Sequence, residues 1–285
     1  MRVKPQTRAF LMYLAVAGLW IWLSDRALSH LISDPNLLAL LQSIKGFVFV
    51  LATGILLYLL IDREMRRLAQ ANKMLLRGHE QSLRVLVSAM DIRHKETRDH
   101  SERVMRMTVA LARLAGMGEL ELQHAKFGAL LHDIGKLALP DAILIKPGPL
   151  DAQETRVMRT HPQIGHDLLQ RVDFLRPVVD IPFNHHERWD GTGYPRGLRG
   201  EAIPLAARVF SVVDVWDALS FPRVYKPAWP EPKVLAYLRD AAGTQLDPRM
   251  VALFLDHYAE LKHIGLAASS VAPVTPLHAP EPAHH

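Results

Sequence analysis

The sequence contains no cysteine. Disulfides, iron–sulfur clusters and thiolate zinc sites are therefore excluded, and any metal ion must be held by nitrogen and oxygen donors. Convincing alternation of apolar and polar residues is also missing, so no segment reads as a β-strand. Charge is scarce near the start: Ala9 to Ser24 carries none, and Lys45 is the only charge between Pro35 and Ile61. Hydrophobic residues make up 49% of the chain, an ordinary share, but they pile up in the first sixty positions. The fifteen histidines supply nitrogen donors.

A length of 285 residues suits one well-buried domain with appendages. The formal charge of +5 suits anionic lipid head groups or a phosphate substrate, and does not imply contact with DNA. Ala9 to Ser24, with Trp20 and Trp22 near its far end, reads as a short membrane-spanning helix. Gly46 to Ile61, preceded by the uncharged Pro35 to Ser43, reads as a second span, with Lys45 accommodated by tilt or snorkelling. Each run is shorter than the ~18 apolar residues usual for a span, so a buried core helix is the competing reading. A cleaved signal peptide competes for the first run alone. Arg2, Lys4 and Arg8 precede the first span and Arg63, Arg66 and Arg67 follow the second, which places both ends in the cytoplasm.

Four segments result. Residues 1–62 form a two-span anchor, 63–81 a helical linker, 82–263 an all-α helical bundle, and 264–285 a disordered tail ending in His284 and His285. Leu68, Met74 and Leu75 in the linker suit pairing with a second copy as a short coiled coil, giving a homodimer. In the bundle, apolar residues recur at helical spacing, as in Val104, Leu111 and Leu114 or Leu120, Phe127 and Leu131. Pro204 opens a helix running to Ser220, and Asp247 with Pro248 opens another running to about His263. Gly116 and Gly243 read as helix stops.

Each chemistry-bearing residue sits near a predicted helix or its end. Glu96 and His100, four apart, share one helix face and can point at one ion. His132 and Asp133 follow the apolar stripe Phe127, Leu130 and Leu131, so a buried helix delivers an imidazole and a carboxylate able to bridge two cations. Taken alone, that dipeptide would more simply be a satisfied core hydrogen-bonded pair. Its company argues otherwise: His185 and His186 adjoin an irregular glycine-rich stretch through Pro195, and Asp214 and Asp217 sit in the apolar run Phe210 to Leu219. Buried carboxylates there need cations or donors to offset their desolvation, and metal ligation is the economical explanation.

From about Ser82 to His263 the chain resembles the HD-GYP branch of the HD metal-dependent phosphohydrolases. The matching pieces are His100 to Val104, Leu131 to Lys136, Lys146 to Leu150, His161 with Pro162 and Gly165, His185 through Pro195, Asp214 to Leu219, and Gly243 to Pro248. The second aspartate motif departs from the family's pattern at Ser220 to Val224. The resemblance implies a helical-bundle HD domain that hydrolyses cyclic di-GMP to the linear dinucleotide pGpG and onward to GMP. It implies that His100, His132, Asp133, His161, His185, His186 and Asp214 hold two divalent ions, iron or manganese before zinc, with Asp133 bridging and Glu96 recruiting a third. Such ions, some ~3.5–4 Å apart, activate a shared water and clamp both oxygens of an in-line displacement. Lys136 would offset charge on the phosphate, Asp217 would assist proton transfer, and Arg223 and Lys226 would meet the substrate phosphates. The Gly193, Tyr194 and Pro195 loop would touch substrate, closing over the site or docking a diguanylate cyclase. Location follows as a multi-pass protein of the bacterial inner membrane, with its bundle in the cytoplasm. The rivals are a catalytically weak cyclic di-GMP receptor signalling through the linker helix, and an HD enzyme for another phosphoester.

Overall fold

The computed structural model describes residues 5–94, 98–222 and 227–267. Glu96, Arg223, Lys226 and the histidines that close the tail lie outside the described residues. All regular structure among the described residues is helical, with one isolated bridge between Ala242 and Leu246. The chain divides into two units, Met1–His79 and Glu80–His285.

In the first unit, α1 (Pro5–Leu31) and the leading part of α2 (Pro35–His94) are long and apolar enough to cross a membrane. Their apolar side chains are exposed, Phe47 at 80% and Leu51 at 65%, which a buried core helix would not tolerate. The helix α1 continues past Ser24 through Asp25, where the sequence suggested an end. An ion pair from Lys45 to Asp25 compensates both charges. Asp34 Oδ1 accepts from Asn36 N at 2.8 Å and starts α2.

In the second unit, Leu83, Val87 and Met90 bury one face of the closing turns of α2. Then follow α3 (Arg98–Leu114), α4 (Glu119–Leu130), a short 3₁₀ turn (Ile134–Ala138), α5 (Asp141–Leu144), α6 (Ala152–Met158) and α7 (His161–Leu169). A 3₁₀ segment (Asp173–Val178) leads to α8 (Asp180–Asn184), and after a long loop come α9 (Leu205–Ser220) and α10 (Glu231–Ala241). The fold closes with α11 (Pro248–Asp256) and α12 (Tyr258–Ala267). At its centre is α9, apolar almost all round, with Val209, Phe210, Val212 and Val213 inaccessible and α3, α4, α8, α10 and α11 packed on it.

Gly116, at φ +85°, ends α3, with Met117 N bonded back to Ala112 O at 3.1 Å. Asp247 caps α11 by accepting from Arg249 N at 2.8 Å. The single helix expected from Asp247 to His263 is two. It turns at His257, which lets α11 cover α9 and α12 cover α3, and neither proline nor glycine marks the break. The helix α12 also runs on to Ala267, past the expected end of the bundle at His263.

Candidate metal centre

Helix ends converge on one buried spot. His132 and Asp133 emerge just past the end of α4, His161 opens α7, His185 follows α8, His100 sits in the first turns of α3, and Asp214 lies on α9. His100, His132, Asp133, His161 and His185 are each no more than 5% exposed. The close approach that assembles them depends on Gly135, where a Cβ would lie 1.9 Å from His161 O. Only a residue without a side chain lets the turn after Asp133 touch the start of α7.

The donors form two triads. The ligand atoms of His161, His185 and His186 lie within 4.8 Å of one another, and so do those of His100, His132 and Asp214. Asp133 stands between them. Its Oδ2 is 3.1 Å from His132 Nε2, while Oδ1 is 3.3 Å from His161 Nε2 and 3.8 Å from His185 Nε2. One carboxylate thus turns an oxygen to each triad.

Backbone carbonyls orient the rings. His132 Nδ1 lies 2.9 Å from Ala129 O, His161 Nδ1 2.8 Å from Met158 O, and His185 Nδ1 3.1 Å from Pro182 O. For His161 and His185 a proton on Nδ1 donates to the carbonyl and leaves Nε2 as an inward lone pair, the arrangement seen behind metal-ligating histidines. The Nε2 atoms of His161 and His185 then face each other at 3.2 Å with no proton to share. Two opposed lone pairs repel, and a cation between them turns that repulsion into coordination. The residues present therefore fit divalent ions, as nitrogen and oxygen donors without cysteine require.

The electrostatics agree. Burial lowers His186 to about 3, helped by His161, and burial with His186 holds His185 well below the ordinary histidine value. Both rings are neutral at pH 7, the form a metal ligand needs. His132 differs: burial opposes its charge, but Asp133 outweighs burial and lifts that ring to about 9. In the metal-free chain its Nε2 therefore also holds a proton, donated to Asp133, which a cation at that triad would displace. Burial would raise the Asp133 carboxyl, yet Lys136, with Nζ 2.5 Å from Oδ2, and His132 hold it well below the usual range.

Lys136 lines the small cavity among the donors together with His100, His132, Asp133, His185, His186 and Asp214. A neighbouring cavity of about 250 Å³ shares His185, His186 and Asp214 and includes Gly193 and Tyr194 in its wall, with Pro195 outside it. Asp217 is not brought to either cavity. It lies 2% exposed behind His100, with Oδ2 2.6 Å from His100 Nδ1 and Oδ1 taking a bond from Arg103 Nε. These two donors compensate its charge, and the carboxylate braces the His100 ring.

Three contributors escaped sequence reasoning. Arg103, three residues after His100, was visible only as part of a matching string. Glu187 is 4% exposed and accepts from Arg196 N at 2.7 Å and Leu198 N at 3.0 Å, bracing the loop after His186. Arg159 lines the larger cavity and carries no spacing signal at all. Within the braced loop, the Tyr194 ring stacks on His186 with centroids 4.7 Å apart.

The chain is similar to known proteins. The family model described as HD domain matches residues 66–250, and the chain belongs to that family. The cyclic di-GMP phosphodiesterase response regulator RpfG of Xanthomonas campestris pv. campestris is 42% identical over 206 residues, 72% of this chain and 54% of that protein. A 3'3'-cGAMP-specific phosphodiesterase 2 of Vibrio cholerae is 40% identical over 177 residues, 61% of this chain and 34% of that protein. A solved cyclic GMP-AMP specific phosphodiesterase of V. cholerae matches with TM-score 0.50 at 18% identity, covering 67% of this chain and 53% of its own, which shows a shared fold. The chain spans between about a third and a half of the length of these curated relatives.

Proposed function

We propose that the chain is a metal-dependent phosphodiesterase that opens cyclic di-GMP to linear pGpG at the cytoplasmic face of a bacterial inner membrane. The observation that carries this reading is the pair of donor triads with the Asp133 carboxylate turned to both. When bound there, two divalent cations, iron or manganese before zinc, acidify a water and neutralise phosphate charge. His100, His132 and Asp214 would hold one, and His161, His185 and His186 the other. Asp217 and Arg103 fix His100, and backbone carbonyls fix the remaining rings, so the donors meet the ions without reorganising. Lys136 keeps a positive charge on the cavity wall, where it stabilises charge growing on the phosphate.

The bracing of the loop after His186 supports a fixed wall or docking surface over a closing lid. The exposed apolar helices α1 and α2 support a two-span anchor, and exposed Leu68, Met74 and Leu75 support pairing of two copies along the linker. The names of the relatives support a cyclic dinucleotide as substrate, and one of them favours 3'3'-cGAMP as the second candidate. The test uses the full chain in detergent with its metal content measured. Turnover of cyclic di-GMP and 3'3'-cGAMP is followed side by side in wild type and Asp133→Ala. Cyclic di-GMP turnover that disappears in the variant supports the reading. Turnover that survives it, or a metal-loaded wild type that cleaves neither compound, rejects it.

A further inference from the structure

Arg159 stands just past the last turn of α6, exposed, where its guanidinium carbon lies 5.1 Å from the centre of the Tyr194 ring. It lines the cavity of about 250 Å³ that shares His185, His186 and Asp214 with the metal centre. Among the described residues it pairs with no carboxylate, unlike Arg84, Arg93, Arg103, Arg106 and Arg208. The other guanidinium on that cavity, Arg188, donates from Nε to Thr192 at 3.0 Å and has Asp190 3.7 Å from the same atom, so a carboxylate already stands beside it. Among the described residues Arg159 is thus a cation without a carboxylate partner, on the wall of a cavity that shares three residues with the metal centre.

A cyclic dinucleotide carries two phosphodiesters, and only the one being cleaved can sit among the triads. The other keeps its negative charge and must lie against a wall that includes the acidic residue Asp214. An anion in such a place needs a cation, and a guanidinium offers two parallel donors matched to a phosphate. We propose that Arg159 is the anchor for that second, uncleaved phosphate, and that Tyr194 is the platform that sets its distance from the centre. The same ring stacks on His186, with planes 23° apart, so one side chain touches both a metal donor and the anchor. This inference rests on the reading of the centre as a phosphodiesterase.

The test compares two substrates on the full metal-loaded chain: cyclic di-GMP, with two phosphates, and bis(4-nitrophenyl) phosphate, with one. In Arg159→Ala the ratio of kcat/KM for cyclic di-GMP to that for the small diester should fall about 10-fold to 100-fold, the worth of a charge-assisted contact, mainly through KM. Arg159→Lys should recover part of the loss, since it keeps the charge and loses the fork. An unchanged ratio, whether both activities drop together or neither moves, would overturn the assignment. If wild type cleaves neither substrate, the phosphodiesterase reading fails by itself. Calorimetric binding of cyclic di-GMP then decides the anchor, which requires a weaker Kd in Arg159→Ala and is refuted by an equal one.

Discussion

Replacing Gly135 by alanine tests how the centre is assembled. A Cβ at this position would lie 1.9 Å from His161 O and 2.7 Å from Gly165 N, and both atoms are backbone, so no side chain can swing aside. Ordinary contact begins near 3.4 Å, so the turn carrying Asp133 and the first turn of α7 must separate by roughly 1.5 Å. Overpacking of this kind costs about 1–3 kcal/mol or more, which for a domain of this size lowers Tm by roughly 2–4 °C per kcal/mol. The shift acts directly on the 3.3 Å approach of Asp133 to His161, and a misplacement of about 1 Å can cost on the order of 100-fold in rate. The assay is thermal unfolding by circular dichroism with metal analysis of the same samples, beside Gly118→Ala, where a Cβ meets only the Glu121 side chain at 3.5 Å. Gly135→Ala should melt lower and bind less metal than that control. Melting within about 2 °C of wild type, with full metal content, would refute the claim that this contact sets the spacing.

Asp217→Asn should destabilise the fold by about 3–5 kcal/mol, because Arg103 is left buried without its carboxylate. It should also weaken metal binding about 10–100-fold at the triad holding His100, read by urea unfolding and metal titration. Glu187→Gln keeps the shape of the brace but loses its charge, so proteolysis between Arg188 and Gly200 should quicken; equal digestion rates would count against the brace. The metal-free chain should lose stability as pH falls. His186, at about 3, refuses a proton that the unfolded chain accepts below 6.5, so stability drops from 6.5 toward 3 at up to about 1.4 kcal/mol per pH unit, and His185, also lowered, acts in the same direction. His132 acts oppositely, and its contribution fades as pH rises through about 9. Urea midpoints that stay flat between pH 7 and 4 would contradict this.

Much of the centre was legible because most of its donors sit at or near helix ends, which spacing and capping residues disclose, while Asp214 lies within α9. His132 and Asp133 after an apolar stripe, paired histidines before a glycine-rich loop and aspartates inside an apolar run are each local signals. What escaped depends on contacts across the fold. Asp217 and Asp214 look equivalent on one helix, yet one faces the triad and the other faces Arg103, a residue more than a hundred positions away. The turn at His257 has no breaker residue, because it is imposed by two different surfaces, α9 and α3, that the flanking helices must cover. Lys45 looked like a lone charge because its partner Asp25 lies on the other helix of the pair. Arg159 has no motif, since its meaning comes only from Tyr194 beneath it.

Anomalous X-ray diffraction from crystals of the anaerobically prepared chain tests the account most directly. Two metal peaks are expected, one inside His161, His185 and His186 and the other inside His100, His132 and Asp214, with an Asp133 oxygen directed at each. Occupied metal at some other place, or a single peak with Asp133 turned away from it, would contradict the proposed centre.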